Sequence, residues 1–173
     1  MRVLGIDPGL TRCGFGVVES GTSGKAVLHD VGVIKTPSEM AIEERLWTIH
    51  STLDELIHKY SPTAMAVERV FAQANVSTVM GTAQVSGAVL ILARGRDIPI
   101  RMYTPTEVKA SVTGSGRADK AQVGLMVARI LGLSEPPKPA DAADALAIAI
   151  CHLWRGVAQD RLAAAVAAQR SKK

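Results

Sequence analysis

The chain has 173 residues, 47% of them hydrophobic, and a formal net charge of +4. This length is enough for one sizeable hydrophobic core and too short for two large domains. The chain has neither a recognisable secretory leader nor a stretch near the roughly 20 apolar residues of a membrane-spanning helix, so we expect a cytoplasmic protein without a membrane segment.

Three short strands are predicted at the N-terminus. RVLGID ends at Asp7, CGFGVVE covers 13–19 and AVLHDVGVIK covers 26–35. Each is rich in β-forming residues, and the turns between them are short. Short turns between successive strands predict an antiparallel meander rather than parallel strands joined by helices.

A helix and a fourth strand follow. TPSE at 36–39 has the pattern of a capping box, with Thr36 as the cap, so we expect a helix to begin there. Apolar residues then recur at helical spacing until Ser61-Pro62. TAMAVE at 63–68 is a short apolar run, typical of a strand buried in the middle of a sheet, and it ends at Glu68.

The second half of the chain alternates helices with one more strand. A helix rich in small residues is predicted from about 75 to 95, and a fifth strand, IPIRMY, at 98–103. TPTE at 104–107 is a second capping box, which opens a short helix before the basic loop TGSGRADK. Two further helices end the pattern. The order predicts an α/β fold with a mixed five-stranded sheet, three antiparallel strands plus two parallel ones, flanked by helices.

The last helix carries an unusual pair of acids. In PADAADALAIAIC (139–151), Asp141 and Asp144 are the only charged residues, and positions three apart share one helix face. One interpretation is helix capping, with Asp141 as the N-cap. The other follows from the strand ends: parallel strands one and four would bring Asp7 and Glu68 to the same edge of the sheet. Four acids meeting there would repel one another unless they bind a hard cation such as Mg²⁺.

Charge is unevenly distributed along the chain. Residues 94–138 hold 8 Lys/Arg against 4 Asp/Glu, and residues 155–173 hold 5 against 1. Concentrated positive charge is typical of a nucleic-acid-binding surface. The two cysteines, Cys13 and Cys151, have no metal-binding spacing, and we expect reduced thiols in the core.

Four blocks of the chain together resemble the RuvC family of bacterial Holliday-junction resolvases. The match runs in order from Arg2 to about Trp154, and it rests on GIDPGLTRCGFGVV (5–18), AVERVFAQAN (66–75), TPTEVKASVTGSGRADKAQV (104–123) and PADAADALAIAICH (139–152). The blocks are specific as a set, although GIDPG alone would be weak.

The resemblance implies an RNase H-like nuclease domain over 1–155 and an enzyme that nicks four-way DNA junctions symmetrically with Mg²⁺ during recombination and repair. It implies two ions per active site, with Mn²⁺ as a substitute, a homodimer, and the RuvAB branch-migration complex as partner. The matching metal ligands are Asp7, Glu68, Asp141 and Asp144. Asp141 stands where some relatives carry a histidine. For 156–173, a basic alanine-rich tail, we expect a frayed helix or disorder.

Further residues are expected to contact DNA. The resemblance places Lys109 and Lys120 near the active site, with Lys120 also in a catalytic role, and it assigns Phe71 to stacking on an unpaired base at the junction centre. Arg117, in the basic loop, is a candidate phosphate contact from its charge and position alone. For each of these side chains, core packing or an ordinary solvated surface is the competing interpretation.

Three other functions remain open from the residues alone. The actin and sugar-kinase ATPase fold also begins GIDxG, but it needs two such domains and this chain has room for one. A non-catalytic junction-binding module has no use for four converging acids. An RNase H-like nuclease acting on RNA or RNA/DNA hybrids is closer, because a shared fold does not fix the substrate.

Overall fold

The computed structural model describes residues 1–69 and 76–170, together with their side chains except at 23, 76, 77 and 157–170. Five strands form one sheet in the order β3-β2-β1-β4-β5. They are β1 (Arg2–Asp7), β2 (Arg12–Ser20), β3 (Ala26–Lys35), β4 (Ala64–Glu68) and β5 (Ile100–Tyr103). The main helices are α1 (Ile42–Tyr60), α2 (Val76–Gly95), α3 (Pro105–Thr113), α4 (Lys120–Leu131) and α5 (Ala140–Arg170).

The strand directions confirm the predicted mixed sheet. β1 and β3 each run antiparallel to β2, β4 is parallel to β1, and β5 is parallel to β4. β5 is shorter than the predicted 98–103, because Ile98 donates its N–H to the carbonyl of Ala93 at the end of α2, 2.9 Å away, and so completes the helix end instead of the sheet. Among the described residues no helix is both long and apolar enough to cross a membrane.

The sheet separates two hydrophobic layers. On one face, Val3 and Val18 pack in a cluster with residues of α3, α4 and α5. On the other face, Leu4 and Ile6 pack with residues of α1 and α2. Alternate residues of β1 therefore point to opposite layers, as the two-residue period of a strand requires. The thiols of Cys13 and Cys151 are free and buried, as predicted.

α5 lies unusually close to the sheet because the strands beneath it carry glycines. A Cβ atom at Gly5 would lie 2.3 Å from the carbonyl oxygen of Ala145, and one at Gly14 would lie 2.2 Å from that of Asp141. A Cβ atom at Gly16 would lie 2.7 Å from Cδ2 of Leu146. Because these positions lack side chains, the backbone of α5 packs directly on β1 and β2.

The predicted cap at Thr36 is wrong. α1 begins at Ile42, its N-cap is Ala41, and no side chain caps it. Thr36 instead continues the sheet edge by donating its N–H to the carbonyl of Thr11 at 3.1 Å, and its hydroxyl donates to the carbonyl of Leu10. The side chain is therefore used to join two loops. The second predicted capping box is confirmed, since Thr104 and Glu107 bond each other's backbone N–H at the start of α3.

Candidate active site

Two acids leave neighbouring parallel strands at the same edge of the sheet. Ile6 of β1 lies opposite Val67 of β4, so the next residues, Asp7 and Glu68, emerge side by side. Both follow runs of buried hydrophobic residues, Val3 to Ile6 and Ala64 to Val67. Local strand propensity therefore sets the positions of these two carboxylates, as the sequence predicted.

The other two acids come from the first turns of α5. Gly14 pairs with Asp7 in the β1–β2 ladder, and the carbonyl of Asp141 lies directly above Gly14. Because Asp144 is three residues further along the same helix face, both acids are brought to the end of β1. Asp7, Glu68, Asp141 and Asp144 together are called the carboxylate cluster below.

The environment of the carboxylate cluster raises the pKa of its two strand acids. Burial, and after it the charges of Glu68, Asp144 and Asp141, raise the pKa of Asp7 from 3.8 to about 7, against the opposing charge of Lys120. The pKa of Glu68 is also raised, first by burial and then by Asp144. These shifts are those expected when acids of like charge share a poorly solvated site.

Two basic side chains partly neutralise the cluster. Arg12 Nε donates to Asp141 Oδ2 at 2.7 Å, and Lys120 Nζ donates to Asp144 Oδ2 at 2.9 Å. The bond to Asp144 raises the pKa of Lys120. Asp119 and Gln122 form a capping box at the start of α4, which makes Lys120 the first residue of that helix and aims it at α5.

The chemistry of the cluster fits a hard divalent cation. Its potential ligands are all carboxylate oxygens, which Mg²⁺ and Mn²⁺ prefer, and its excess negative charge is what a cation would relieve. Within the described ranges, 1–69 and 76–170, no three His, Cys, Asp or Glu side chains already stand close enough to hold a metal ion. Asp141 is bonded to Arg12 and Asp144 to Lys120.

The remaining predicted residues differ in how they are placed. Lys109, on α3, is near enough for its charge to lower the pKa of Glu68, which burial chiefly raises. Arg117 is exposed in the loop between α3 and α4. Phe71 lies outside the described residues. Asp141 is inside the first turn of α5 rather than before it, and its carboxylate bonds Arg12, so its role is not that of an N-cap.

Two contributors to the site were missed from the sequence. Arg12 gave no signal beyond its charge, because its partner Asp141 lies 129 residues away in the chain. Gly14 and Gly16 are a detectable signal in retrospect: glycines alternating along a predicted strand mark one face where another backbone approaches closely.

Comparison with known proteins gives a consistent result. The family model "Crossover junction endodeoxyribonuclease RuvC" matches residues 3–152, a range that contains all of the carboxylate cluster. The chain is 58% identical to a protein of that name from Streptomyces avermitilis over 172 residues, covering 99% of this chain and 98% of the relative. A relative from Frankia alni is also 58% identical, over 97% of this chain and 85% of its own length.

A solved structure has the same fold. Thermus thermophilus RuvC in complex with a Holliday junction substrate superimposes with a TM-score of 0.85 at 40% identity, over 90% of this chain and 94% of that one. The mixed sheet of this chain is therefore RNase H-like, as expected from the sequence.

Proposed function

The chain belongs to the RuvC family of crossover junction endodeoxyribonucleases, and from that premise we propose how its residues act on DNA. It is a Holliday-junction resolvase, a nuclease of DNA recombination and repair. The proposed mechanism is supported by one observation above all. Four acids lie together at one edge of the sheet, beside Lys120: Asp7, Glu68, Asp141 and Asp144.

The carboxylate cluster is proposed to hold two Mg²⁺ ions, with Mn²⁺ as a substitute. Its all-oxygen ligand set and the mutual repulsion that raises the pKa of Asp7, after burial, support this. When bound, such a pair of ions supplies an activated water and stabilises the leaving oxygen in phosphodiester hydrolysis. Asp7 and Glu68 stand on the rigid ends of strands, so they fix the site, and α5 completes it.

Lys120 has a separate proposed part in catalysis. Its ammonium group is bound to Asp144, and 74% of the side chain is exposed to solvent. A cation held there can pass from Asp144 to a phosphate oxygen as DNA arrives, which neutralises charge at the reacting group. Lys109, Arg117 and Phe71 are proposed DNA contacts, the two cations with the backbone and the aromatic ring with an unpaired base.

A homodimer is proposed to present two such sites to the two equivalent strands of a junction. The face of α2 turned away from the sheet supports this. Met80 is 57% exposed and Ile91 is 73% exposed, with Gly87 between them at helical spacing. An apolar helix face with small residues allows the same helix of a second copy to approach closely.

We also propose a cellular setting, which membership of the family supports. The proposed partner is the RuvAB branch-migration complex, and the proposed location is the cytoplasm, where chromosomal DNA and reduced thiols such as those of Cys13 and Cys151 coexist. The proposed division of the chain is a nuclease domain over 1–155 and a basic tail over 156–173. The family match, which ends at residue 152, agrees with that division.

The test is cleavage of a mobile synthetic four-way junction beside a linear duplex and an RNA/DNA hybrid, each with Mg²⁺ and with EDTA. We expect paired nicks in the junction but not in the duplex or the hybrid. We expect them with Mg²⁺ but not with EDTA. Asp144→Asn should lower the rate by about 10³-fold or more, since loss of a metal ligand removes several kcal/mol of transition-state stabilisation and each 1.4 kcal/mol is a factor of ten. Junction binding should persist.

The matched control is Asp97→Asn. Asp97 is an exposed aspartate whose carboxylate pairs with Arg94 on the surface, and asparagine suits its left-handed backbone, so cleavage should be unchanged. If the protein cut the RNA/DNA hybrid and neither DNA substrate, it would be a ribonuclease with this fold and not a resolvase. Full activity of Asp144→Asn would exclude the proposed metal site.

A further inference from the structure

A cavity lies beside the carboxylate cluster and takes no part in the chemistry described above. It has a volume of about 410 Å³, and its walls are the turn between β1 and β2, the side chain of Arg45 and the first turns of α2. The residues that line it are Gly9, Leu10, Thr11, Arg12, Arg45, Thr78, Gly81 and Thr82. Two of them are arginines, three are threonines and none is an acid.

Arg45 is the unusual member of this set. It is a charged side chain in the second turn of α1 with only 9% of its surface exposed. Its guanidinium donates to two neutral hydroxyls, from Nε to Thr36 Oγ1 at 3.0 Å and from an Nη atom to Thr11 Oγ1 at 2.8 Å. These bonds use two of the five N–H donors of arginine.

Arg45 has no matching anion in the part of the chain that the structure describes. None of the ion pairs between described residues includes it. Glu39 is close enough to feel its charge, but Glu39 is on the surface and its carboxylate accepts from Ser38 Oγ at 2.8 Å. A buried cation is normally paired, so the cavity in front of Arg45 is a place where an anion would be stabilised.

The cavity is built as a fixed recess. A Cβ atom added at Gly81 of α2 would lie 3.2 Å from the Cβ of Leu10, so helix and turn are already in close contact. Gly9 is two residues from Asp7, which places the recess within about 7 Å of the carboxylate cluster along the backbone. Arg12 joins the two, because it lines the recess and also binds Asp141.

We propose that this recess, the Arg45 recess, binds a backbone phosphate of the DNA strand that is being cut, near the scissile phosphate. The proposal rests on the proposed function, since it requires DNA at the carboxylate cluster. Arg45 supplies the charge, and the hydroxyls of Thr11 and Thr78 offer neutral donors around the same oxygen atoms. The hydroxyl of Thr82 donates to the carbonyl of Thr78 at 2.9 Å, so Thr82 lines the recess without donating to the phosphate. A phosphate held there fixes the register of the strand against the cluster.

The main test uses a charge placed at the mouth of the recess. Thr82→Glu adds a carboxylate that competes with phosphate for Arg45. Thr82→Gln adds similar bulk without charge. Thr22→Glu adds the same charge far from the recess: Thr22 is exposed in the turn between β2 and β3, at the end of the sheet where β1 begins. Binding of a four-way junction is measured in EDTA at several salt concentrations.

We expect Thr82→Glu to weaken junction binding about tenfold and to reduce the slope of log K against log salt by about 0.9, the contribution of one phosphate contact. Thr82→Gln and Thr22→Glu should stay within about twofold of wild type. Arg45→Gln should match Thr82→Glu, with circular dichroism and melting temperature confirming its fold. If Arg45→Gln unfolds, Thr82→Glu alone carries the test.

Several results would overturn the proposal. One is wild-type affinity and salt slope in Thr82→Glu. Another is an equal loss in Thr22→Glu, which would mean a general effect of added negative charge. Stabilisation of the wild type by inorganic phosphate, with junction binding unchanged in the variants, would assign the recess to a free anion. A wild type that neither binds nor nicks junctions would instead refute the proposed function itself.

Discussion

The two ends of the β-sheet use the same kinds of side chain in opposite ways. At the end where β1 begins, two acids are matched with partners: Glu19 accepts from Arg2 at 2.9 Å and lies 2.7 Å from His29 Nε2, and Asp30 accepts from the hydroxyl of Tyr60 at 2.6 Å. The pKa of Glu19 is lowered by its bonds to Arg2 and His29. At the other end, burial and neighbouring acids raise the pKa of Asp7 to about 7.

The difference separates a structural site from a functional one. Where opposite charges are matched, the folded state itself satisfies them and nothing further has to bind. Arg12 and Lys120 provide two positive charges for the four acids of the carboxylate cluster. The remaining repulsion between the acids is unfavourable in the folded protein, and a bound cation would reduce it. Each of the following changes should act on one end and leave the other untouched.

The largest effect on stability is expected for Asp7→Asn in metal-free protein. The folded-state pKa of Asp7, about 7, exceeds its ordinary value of 3.8, so between these pH values the folded protein holds a proton that the unfolded chain has lost. Stability therefore falls as pH rises through this window. Asparagine removes the penalty, and at pH 8 the variant should be more stable by roughly 2 kcal/mol after allowance for solvent screening.

Urea unfolding in EDTA at pH 5 and pH 8 measures this difference. The gain should be clearly smaller at pH 5, where the wild-type carboxyl is largely protonated in the folded state. Equal stability of the two proteins at pH 8 would show that the carboxylate cluster stores no strain. Added Mg²⁺ should stabilise the wild type and have less effect on the variant.

A smaller effect is expected at the other end for Tyr60→Phe. The change removes the hydroxyl that donates to Asp30 while keeping the ring, which Lys59 covers at 4.7 Å. Loss of one hydrogen bond to a charged acceptor should lower the free energy of unfolding by about 1.5 kcal/mol. Junction cleavage by the folded variant should match the wild type. A large loss of cleavage with full stability would contradict the separation of the two ends.

The smallest effect is expected for Arg12→Gln. The side chain of Arg12 is 42% exposed, so its pair with Asp141 is worth at most about 1 kcal/mol. Because a metal ion at the proposed site would share Asp141 with this guanidinium, removing the guanidinium should tighten Mg²⁺ binding to free protein by up to about fivefold, as measured by calorimetry. Weaker Mg²⁺ binding would mean that Arg12 positions Asp141 for the metal instead of competing for it.

The sequence predicted one end of the sheet much better than the other. Asp7 and Glu68 could be placed because each terminates a strand, and the meander fixed which strands are parallel. The pairing of Arg2 with Glu19 or of Tyr60 with Asp30 depends on register between strand and helix, which local pattern does not determine.

The same limit applies within the active site. Thr36 has a sound capping pattern, but the tertiary bonds to Leu10 and Arg45 outweigh that local preference. The capping box predicted at Thr104 is present because, within the described part of the chain, the Thr104 hydroxyl bonds Glu107 alone. Arg12 and Arg45 gain their importance from partners distant in the chain, and no periodicity reveals such partners.

The contact between α5 and the glycines of β1 and β2 has a consequence for how the enzyme tolerates change. The spacing between Asp7 and the acids of α5 is set by main chain resting on main chain, at Gly5 and Gly14. Side chains in the two hydrophobic layers can be exchanged and repacked without altering that spacing, whereas one methyl group at Gly14 would lift the helix. Substitutions in the core can therefore accumulate without moving the four acids relative to one another. This tolerance depends on the glycines of β1 and β2 staying glycine.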